Sequence, residues 1–280
     1  MRTLIHLSDL HFGRVDPALL DPLRDLVHRI APDVVVVSGD LTQRAKEDEF
    51  IAARAWLDTL PGPQIIVPGN HDISLYNVFR RFLAPLDRYK RYITDDLDPV
   101  HVDGEIAVLG VNTARSLTFK DGRVNREQVE KIRATLAGLD PDVTRVVVTH
   151  HPFDLPRAEG VEESDLVDRA RMAMDAFAEC GVDLLMAGHL HLHHAGNTQA
   201  RYKISEYAAL VVQAGTATST RGRGEVNSFN VIRIEPQRIE VDRYGWDVVH
   251  GQFQLLATEK FMRSGNIWTE HNDGLLAAGI

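Results

Sequence analysis

This chain is short of cysteine, of long apolar segments and of positive charge. Cys180 is the only cysteine among 280 residues, so no disulfide can form within the chain, and a reducing, cytoplasmic location is expected. No apolar run approaches the roughly 20 residues of a membrane-spanning helix. The formal net charge of −9 disfavours a protein that binds nucleic acid by neutralising its phosphates. These absences argue against a disulfide-stabilised secreted domain, a membrane-spanning protein and a nucleic-acid-binding protein.

The domain organisation predicted from composition is simple. Hydrophobic residues make up 44% of the chain, which is enough to bury a full core. Nothing between residues 1 and 264 resembles an interdomain linker, so we predict one domain over that range. The segment 265–280 is predicted to be a C-terminal tail, either an arm for oligomerisation or docking or a partly disordered end, although Trp268 argues against full disorder.

Strand and helix signals alternate along the first two thirds of the chain. The valine runs after Asp33 and Arg145 are short and continuous, as in strands buried on both faces, and this order predicts βαβ units. The last third instead reads as antiparallel strands, which predicts a second sheet packed on the first. The expected fold is therefore an α/β sandwich of four layers. The predicted helices lie near 17–30, 46–60, 126–139 and 166–179, and the strands near 3–8, 34–38, 64–67, 105–111, 145–149 and 182–187.

Polar residues follow six of the apolar runs. Because the carboxyl ends of strands in an open α/β sheet border one crevice, we expect these residues to lie close together. Imidazole nitrogen, carboxylate oxygen and amide oxygen suit manganese, iron and zinc, whereas a thiolate site is excluded by the single cysteine. The six groups are Asp9 with His11, Asp40, Asn70 with His71 and Asp72, Asn112, His150 with His151, and His189 with His191. Asn112 would either hydrogen-bond a ligand or stabilise a loop, and it is left out of the predicted site.

Five of these groups, in this order and approximate spacing, resemble the calcineurin-like metallophosphoesterase superfamily from Arg2 to at least Gly215. The motifs are Asp9-x-His11, Gly39-Asp40, Gly69-Asn70-His71-Asp72, His150 and Gly188-His189-x-His191. The resemblance implies an α-β-β-α sandwich with two mixed sheets and two divalent or trivalent ions per chain, with manganese, iron and zinc as the candidates. It also implies a set of ligands: Asp9, His11, Asp40 and His191 for one ion, and Asn70, His150 and His189 for the other, with Asp40 shared.

Three stretches are most similar to the bacterial class III cyclic-nucleotide and glycerophosphodiester phosphodiesterases: Asn70-His71-Asp72, His150-His151-Pro152 and Gly122-Arg123-Val124. This similarity implies a dinuclear-metal phosphodiesterase that hydrolyses small diesters, such as cAMP or glycerophosphodiesters, by attack of a metal-bridging hydroxide. A diester's alkoxide leaving group needs a proton, and His71 is the natural general acid. Relatives also suggest a homodimer or higher oligomer. The alternatives are a phosphomonoesterase, a nucleotide pyrophosphatase or a nuclease on the same site, or a non-catalytic scaffold, which the filled ligand positions disfavour.

Further candidates lie beside these motifs. Asp72 or a backbone carbonyl would orient the ring of His71. His151 follows a proposed ligand directly, so it is expected to point to the other side of its strand and to act through a hydrogen bond or packing. His194 either touches substrate at the pocket mouth or is an exposed loop histidine. Arg221 and Arg223, in a glycine-containing loop, either clamp the substrate phosphate or belong to a charged surface loop, which is slightly favoured.

Overall fold

The structure is a computed structural model, and it describes residues 1–74, 78–116, 121–221 and 224–271. The helices of this part of the chain are α1 (Pro17–Ile30), α2 (Glu47–Leu57), α3 (Val78–Leu83), α4 (Asp87–Tyr92), α5 (Arg126–Leu136), α6 (Ala170–Cys180) and α7 (Gln199–Tyr202). Its strands are β1 (Arg2–Leu7), β2 (Val34–Ser38), β3 (Gln64–Val67), β4 (Val100–Val102), β5 (Ile106–Gly110), β6 (Thr144–Val148), β7 (Leu184–Ala187), β8 (His194–Asn197), β9 (Leu210–Gln213), β10 (Ser228–Glu235), β11 (Arg238–Asp247), β12 (Gln252–Ser264) and β13 (Ile267–Glu270).

Two mixed sheets form the centre of the fold. The first has the strand order β13-β12-β11-β10-β1-β2-β3, and the second β4-β5-β6-β7-β9-β8. Strands β1, β2 and β3 run parallel, and so do β5, β6, β7 and β9. The carboxyl ends of each parallel group therefore lie at one edge of their sheet.

Three apolar layers hold the sheets and helices together, which confirms the predicted four-layer α/β sandwich. Side chains alternate across β1: Leu4 packs between the two sheets, whereas Ile5 packs against the helices that cover the first sheet. Phe50 of α2 lies in that outer layer, and Phe177 of α6 lies in the corresponding layer behind the second sheet. Since both faces of the central strands are buried, their sequences read as continuous apolar runs.

The origin of the second sheet differs from the prediction. Strands β10, β11 and β12 do not form a sheet of their own: they extend the first sheet, with β10 antiparallel to β1. The second sheet is built from β4 to β9, in the middle of the chain. Strand β9, expected to be antiparallel, pairs parallel with β7 and antiparallel only with the edge strand β8. An apolar run reveals that a strand is buried but not which strand it pairs with.

The predicted tail, residues 265–280, begins inside a hairpin. Ile267–Glu270 pairs with β12 as the edge strand of the first sheet, and Trp268 is buried between the two sheets. The indole Nε1 of Trp268 donates a hydrogen bond of 3.1 Å to Asp183. Residues 272–280 lie outside the described part, so an arm for oligomerisation or docking stays a prediction. Within the described ranges, no helix is long and apolar enough to cross a membrane.

Candidate metal centre

The residues that sequence motifs singled out follow the carboxyl ends of five parallel strands, and the structure brings them together at one rim of the sandwich. Parallel pairing places these strand ends side by side within each sheet, and packing of the two sheets brings the two rows together. These residues come from both sheets. In the first sheet, Asp9 and His11 follow β1, Asp40 follows β2 and Asn70 follows β3; in the second, His150 follows β6, and His189 and His191 follow β7.

One half of the centre is formed by Asp9, His11 and His191. The Nε2 atom of His191 lies 3.2 Å from Oδ1 of Asp9 and 3.3 Å from Nε2 of His11. The Nε2 atom of His11 is 3.6 Å from the same carboxylate oxygen. All three side chains are buried. Their ligand atoms lie within 4.8 Å of one another, which is close enough to hold one cation.

The other half contains Asn70, His150 and His189. The Nε2 atom of His150 lies 3.0 Å from Oδ1 of Asn70, and the rings of His150 and His189 have centroids 5.1 Å apart. Asp40 lies between the two halves: its Oδ1 is 3.5 Å from Nε2 of His150, and its Oδ2 is 3.7 Å from Nε2 of His11. One carboxylate thus presents an oxygen to each half.

Backbone carbonyls fix the orientation of two of these imidazoles. The Nδ1 atom of His150 donates to the carbonyl of Ser38 at 2.8 Å, and Nδ1 of His191 donates to that of Arg221 at 2.8 Å. Since a carbonyl only accepts, the Nε2 atom of each neutral ring has a lone pair, and it faces other acceptors. Oδ1 of Asp9 is also buried without a hydrogen-bond partner among the described residues. Converging acceptors repel each other unless a cation lies among them, so this donor set fits metal ions.

The charges of the centre agree with this interpretation. Burial alone would raise the pKa of Asp40, but His150 and His71 hold it well below its usual range; Asp9 is likewise held low, against the effect of burial, by His191. Burial lowers the pKa of His150, yet the neighbouring Asp40 raises it to about 9. Burial and His150 lower the pKa of His189 to about 4. The two ionised carboxylates therefore stabilise positive charge at the centre, as a cation site requires.

Five of the seven proposed ligands have left-handed backbone conformations. The φ angles are 53° for Asp9, 49° for His11, 53° for Asp40, 72° for His189 and 59° for His191. Residues other than glycine rarely adopt this region, and such strain concentrates at functional sites. These sharp turns allow side chains close together in sequence, such as those of Asp9 and His11, to face the same half of the centre.

His71 lies beside the ligands, and its ring is oriented by a backbone carbonyl. Its Nδ1 donates to the carbonyl of Gln43 at 2.8 Å, and its backbone N–H donates to Oδ1 of Asp40 at 2.8 Å. Asp72, the alternative orienting group, instead accepts hydrogen bonds from the backbone N–H groups of Thr42 and Gly69, so it ties two ligand loops together. Burial, followed by the charge of Asp40, raises the pKa of Asp72 to about 6.

The expected direction of His151 is wrong. Its ring centroid lies 4.6 Å from that of His189, and its Nδ1 is 2.8 Å from Oγ1 of Thr113. Strand β6 ends at Val148, so the alternation of side chains along a strand no longer applies at His151. His150, His151 and His189 together form a group with metal-ligand spacing.

His194, a candidate from the sequence, is not among the clustered ligands. His194 belongs to β8 and lines a cavity of about 610 Å³ together with Asp154 and Arg201. His193 turns its ring towards Asn230 and Glu259, with Nε2 2.9 Å from the Glu259 carboxylate. Arg223 lies outside the described residues.

Sequence reasoning missed the groups that hold the ligands in place. Ser8 donates to Oδ2 of Asp9 at 2.7 Å, and the backbone N–H of His189 donates to the same oxygen at 3.1 Å. The other carboxylate oxygen of Asp9 is left for the centre. The carbonyls of Ser38, Gln43 and Arg221 have no sequence signal, because every residue has a carbonyl. Ser8 could have been found from its position directly before the first motif.

Comparison with known proteins gives three kinds of likeness. The model of the calcineurin-like phosphoesterase family matches residues 2–193. The glycerophosphodiester phosphodiesterase GpdQ of Enterobacter lignolyticus is 28% identical over 178 residues, which are 56% of this chain and 59% of that relative's length. The 3′,5′-cyclic adenosine monophosphate phosphodiesterase CpdA of Haemophilus influenzae is 20% identical over 230 residues, covering 82% and 77% of the two chains. A dimetal phosphatase from Danio rerio shares the fold with a TM-score of 0.64 at 14% identity, over 91% of this chain and 98% of that one.

Proposed function

The chain belongs to the calcineurin-like phosphoesterase family, and we propose that it is a metal-dependent phosphodiesterase acting on small diesters, with cyclic nucleotides ahead of glycerophosphodiesters. The observation that carries this proposal is the position of Asp40, with one carboxylate oxygen directed at each half of the centre. The names of GpdQ and CpdA favour a diester over a monoester. The match to GpdQ spans 59% of that relative's length.

Seven residues would hold two metal ions. We assign Asp9, His11, Asp40 and His191 to the first ion, and Asn70, His150 and His189 to the second, with Asp40 shared. The mixed nitrogen and oxygen donors suit manganese, iron or zinc. Two such ions, when bound, lower the pKa of a coordinated water and neutralise charge on the phosphoryl oxygens.

The protein's own contribution begins with charge. The low pKa values of Asp9 and Asp40 keep both carboxylates ionised, as ligands must be. The carbonyls of Ser38 and Arg221 hold the protons of His150 and His191 on Nδ1, so that their Nε2 atoms face the centre. The orientation of these two imidazoles is therefore set by the protein's own backbone.

His71 is proposed to protonate the leaving group. Its Nδ1 proton is held by the carbonyl of Gln43, so Nε2 is the nitrogen that can exchange a proton with a substrate. An imidazolium would transfer the Nε2 proton to the departing alkoxide as the P–O bond breaks, and the neutral ring would keep its place through Gln43. The contact of its backbone N–H with Asp40 supports a role beside the proposed metal ligands rather than among them.

A substrate panel on metal-analysed protein tests the proposal. Manganese-loaded protein should hydrolyse bis(p-nitrophenyl) phosphate and 3′,5′-cAMP faster than p-nitrophenyl phosphate. The panel should also contain a 2′,3′-cyclic nucleotide and a glycerophosphodiester, which rank the diester classes. A strong monoester preference would contradict the diester assignment. Protein that holds only trace metal and cleaves no ester would instead restore the scaffold alternative.

Two further expectations stay predictions. Self-association, with segment 265–280 serving as an arm, can be checked by light scattering on the full chain and on a chain ending at residue 271. The cytoplasmic location expected from the single cysteine can be checked by cell fractionation.

A further inference from the structure

Arg221 connects the two sides of the candidate centre. Its backbone carbonyl accepts the Nδ1 proton of His191, and its guanidinium Nη1 lies 3.1 Å from Nε2 of His71. Because the Nδ1 proton of His71 is held by Gln43, the Nε2 atom of the neutral ring is an acceptor, so Arg221 donates this hydrogen bond. A fixed cation therefore lies where the proposed general acid faces the substrate.

The loop that carries Arg221 is firmly attached to the loop after β1. The hydroxyl of Thr216 donates to the carbonyl of Asp9 at 2.7 Å, and that of Thr218 donates to the carbonyl of Leu10 at 2.9 Å. The backbone N–H of Arg221 donates to Oγ of Ser219, which is buried. These contacts fix the backbone that leads to Arg221, and its own carbonyl is held by His191, so the surface-loop interpretation favoured from sequence does not apply to Arg221.

The guanidinium of Arg221 has N–H donors that the hydrogen bond to His71 does not use. It carries five N–H donors, and within the described ranges it makes a single side-chain hydrogen bond, the one to His71. The side chain is half-buried, and the centre beside it is built to receive a phosphoryl group. Guanidinium groups bind phosphate oxygens through pairs of N–H donors, and the bonds are strengthened by charge.

We propose that Arg221 is the substrate-binding arginine of this centre: its free N–H groups donate to a phosphoryl oxygen, and in the substrate-free centre its bond to Nε2 positions the neutral ring of His71. The inference rests on the proposed function, since it takes a phosphate ester as the ligand. Arg221 also differs from a metal-holding residue, because its contribution to His191 comes from the backbone and is kept in every side-chain variant.

The test measures binding of inorganic phosphate by calorimetry to manganese-loaded protein of known metal content. Arg221→Ala should weaken phosphate binding about 10- to 100-fold, the range of a charge-assisted hydrogen bond, with unchanged metal content. Arg221→Lys should recover part of the loss. Arg29→Ala is the matched control, because it also removes an arginine, but an exposed one in the last turn of α1. This turn lies about 20 Å along the helix from the end of α1 that starts at the rim. The control should bind phosphate like the wild type.

Two further measurements separate the possible roles. The KM for bis(p-nitrophenyl) phosphate should rise in Arg221→Ala by a larger factor than kcat falls. In metal-free protein, the ¹⁵N resonance of His71 Nε2 should shift on Arg221→Ala but not on Arg29→Ala. Phosphate binding within twofold of the wild type in Arg221→Ala, loss of metal from that variant, or wild-type protein that binds no phosphate would each overturn the inference. Protein that binds phosphate through Arg221 but cleaves no ester would refute the proposed function and leave this inference standing.

Discussion

Gly69→Ala tests the geometry of the centre with the addition of a single methyl group. Gly69 has a φ of −103°, which any residue adopts, so the requirement for glycine here is one of space. A Cβ at this position would lie 2.1 Å from Oδ1 of Asp40 and 2.3 Å from its backbone nitrogen. Cβ contacts below 3.0 Å essentially do not occur, so the carboxylate must move by at least about 0.9 Å, the difference between 3.0 and 2.1 Å.

Asp40 cannot make this movement without loss. Its Oδ1 accepts the backbone N–H of His71 at 2.8 Å and faces His150, so the displacement separates the shared carboxylate from both halves of the centre. A misplacement of about 1 Å lowers activity roughly 100-fold, and overpacking of this kind costs about 1–3 kcal/mol of folding free energy. We expect lower metal content, a loss of kcat/KM on bis(p-nitrophenyl) phosphate of about 100-fold or more, and a lower Tm.

The matched control is Gly104→Ala. Gly104 lies in the turn between β4 and β5, and an added Cβ has nothing within 4 Å. The change in unfolded-chain entropy is the same for both variants, so their difference isolates the contact with Asp40. Gly104→Ala should keep metal content and activity, and its stability should stay within about 1 kcal/mol of the wild type. If Gly69→Ala matched the control in metal content and activity, the placement of Asp40 against Gly69 would be wrong.

Three other predictions concern the ligands, the proposed acid and the edge strand. Asp40→Ala should lose metal from both halves and nearly all activity; metal analysis that finds one ion still bound would contradict the shared role. His71→Ala should keep its metal and lose turnover most severely for cAMP, whose alkoxide is a poor leaving group, and less for p-nitrophenyl esters; an empty site in this variant would mean that His71 is itself a ligand. Trp268→Ala should lower the free energy of unfolding in urea by about 3–5 kcal/mol, because it removes a buried indole and the hydrogen bond to Asp183; a loss below 1 kcal/mol would show that β13 contributes little to the fold.

The local elements were predictable because their signals are local. The bounds of α1 (Pro17–Ile30) and β2 (Val34–Ser38) agree with the sequence prediction at both ends: proline begins the helix, and a valine run forms the buried strand. Sheet membership was not predictable, since β10 joins β1 across most of the chain length and β9 joins β7 across a crossover. Pairing of distant strands depends on packing that no short segment encodes.

The candidate site was likewise predictable from the sequence only in part. The ligand types and their order were visible as motifs, and the carboxyl ends of parallel strands explain why they meet. The direction of His151 was not visible, because it depends on where β6 ends. The placement of Arg221 was not visible either, because it depends on hydroxyl contacts of Thr216 and Thr218 with carbonyls of a loop about 200 residues away.

The glycines that precede the ligands show why the two sheets must pack closely for the centre to exist. An added Cβ on Gly39, at the end of β2 in the first sheet, would lie 2.5 Å from Nδ1 of His150 in the second. A Cβ on Gly188, after β7 in the second sheet, would lie 1.8 Å from Oγ of Ser8 in the first. Each half of the centre takes ligands from both sheets, so it forms only where the two rims nearly touch. Glycine before the ligand removes the side chain that would hold the rims apart, and the apolar layer between the sheets fixes the distance across which the metal ligands meet.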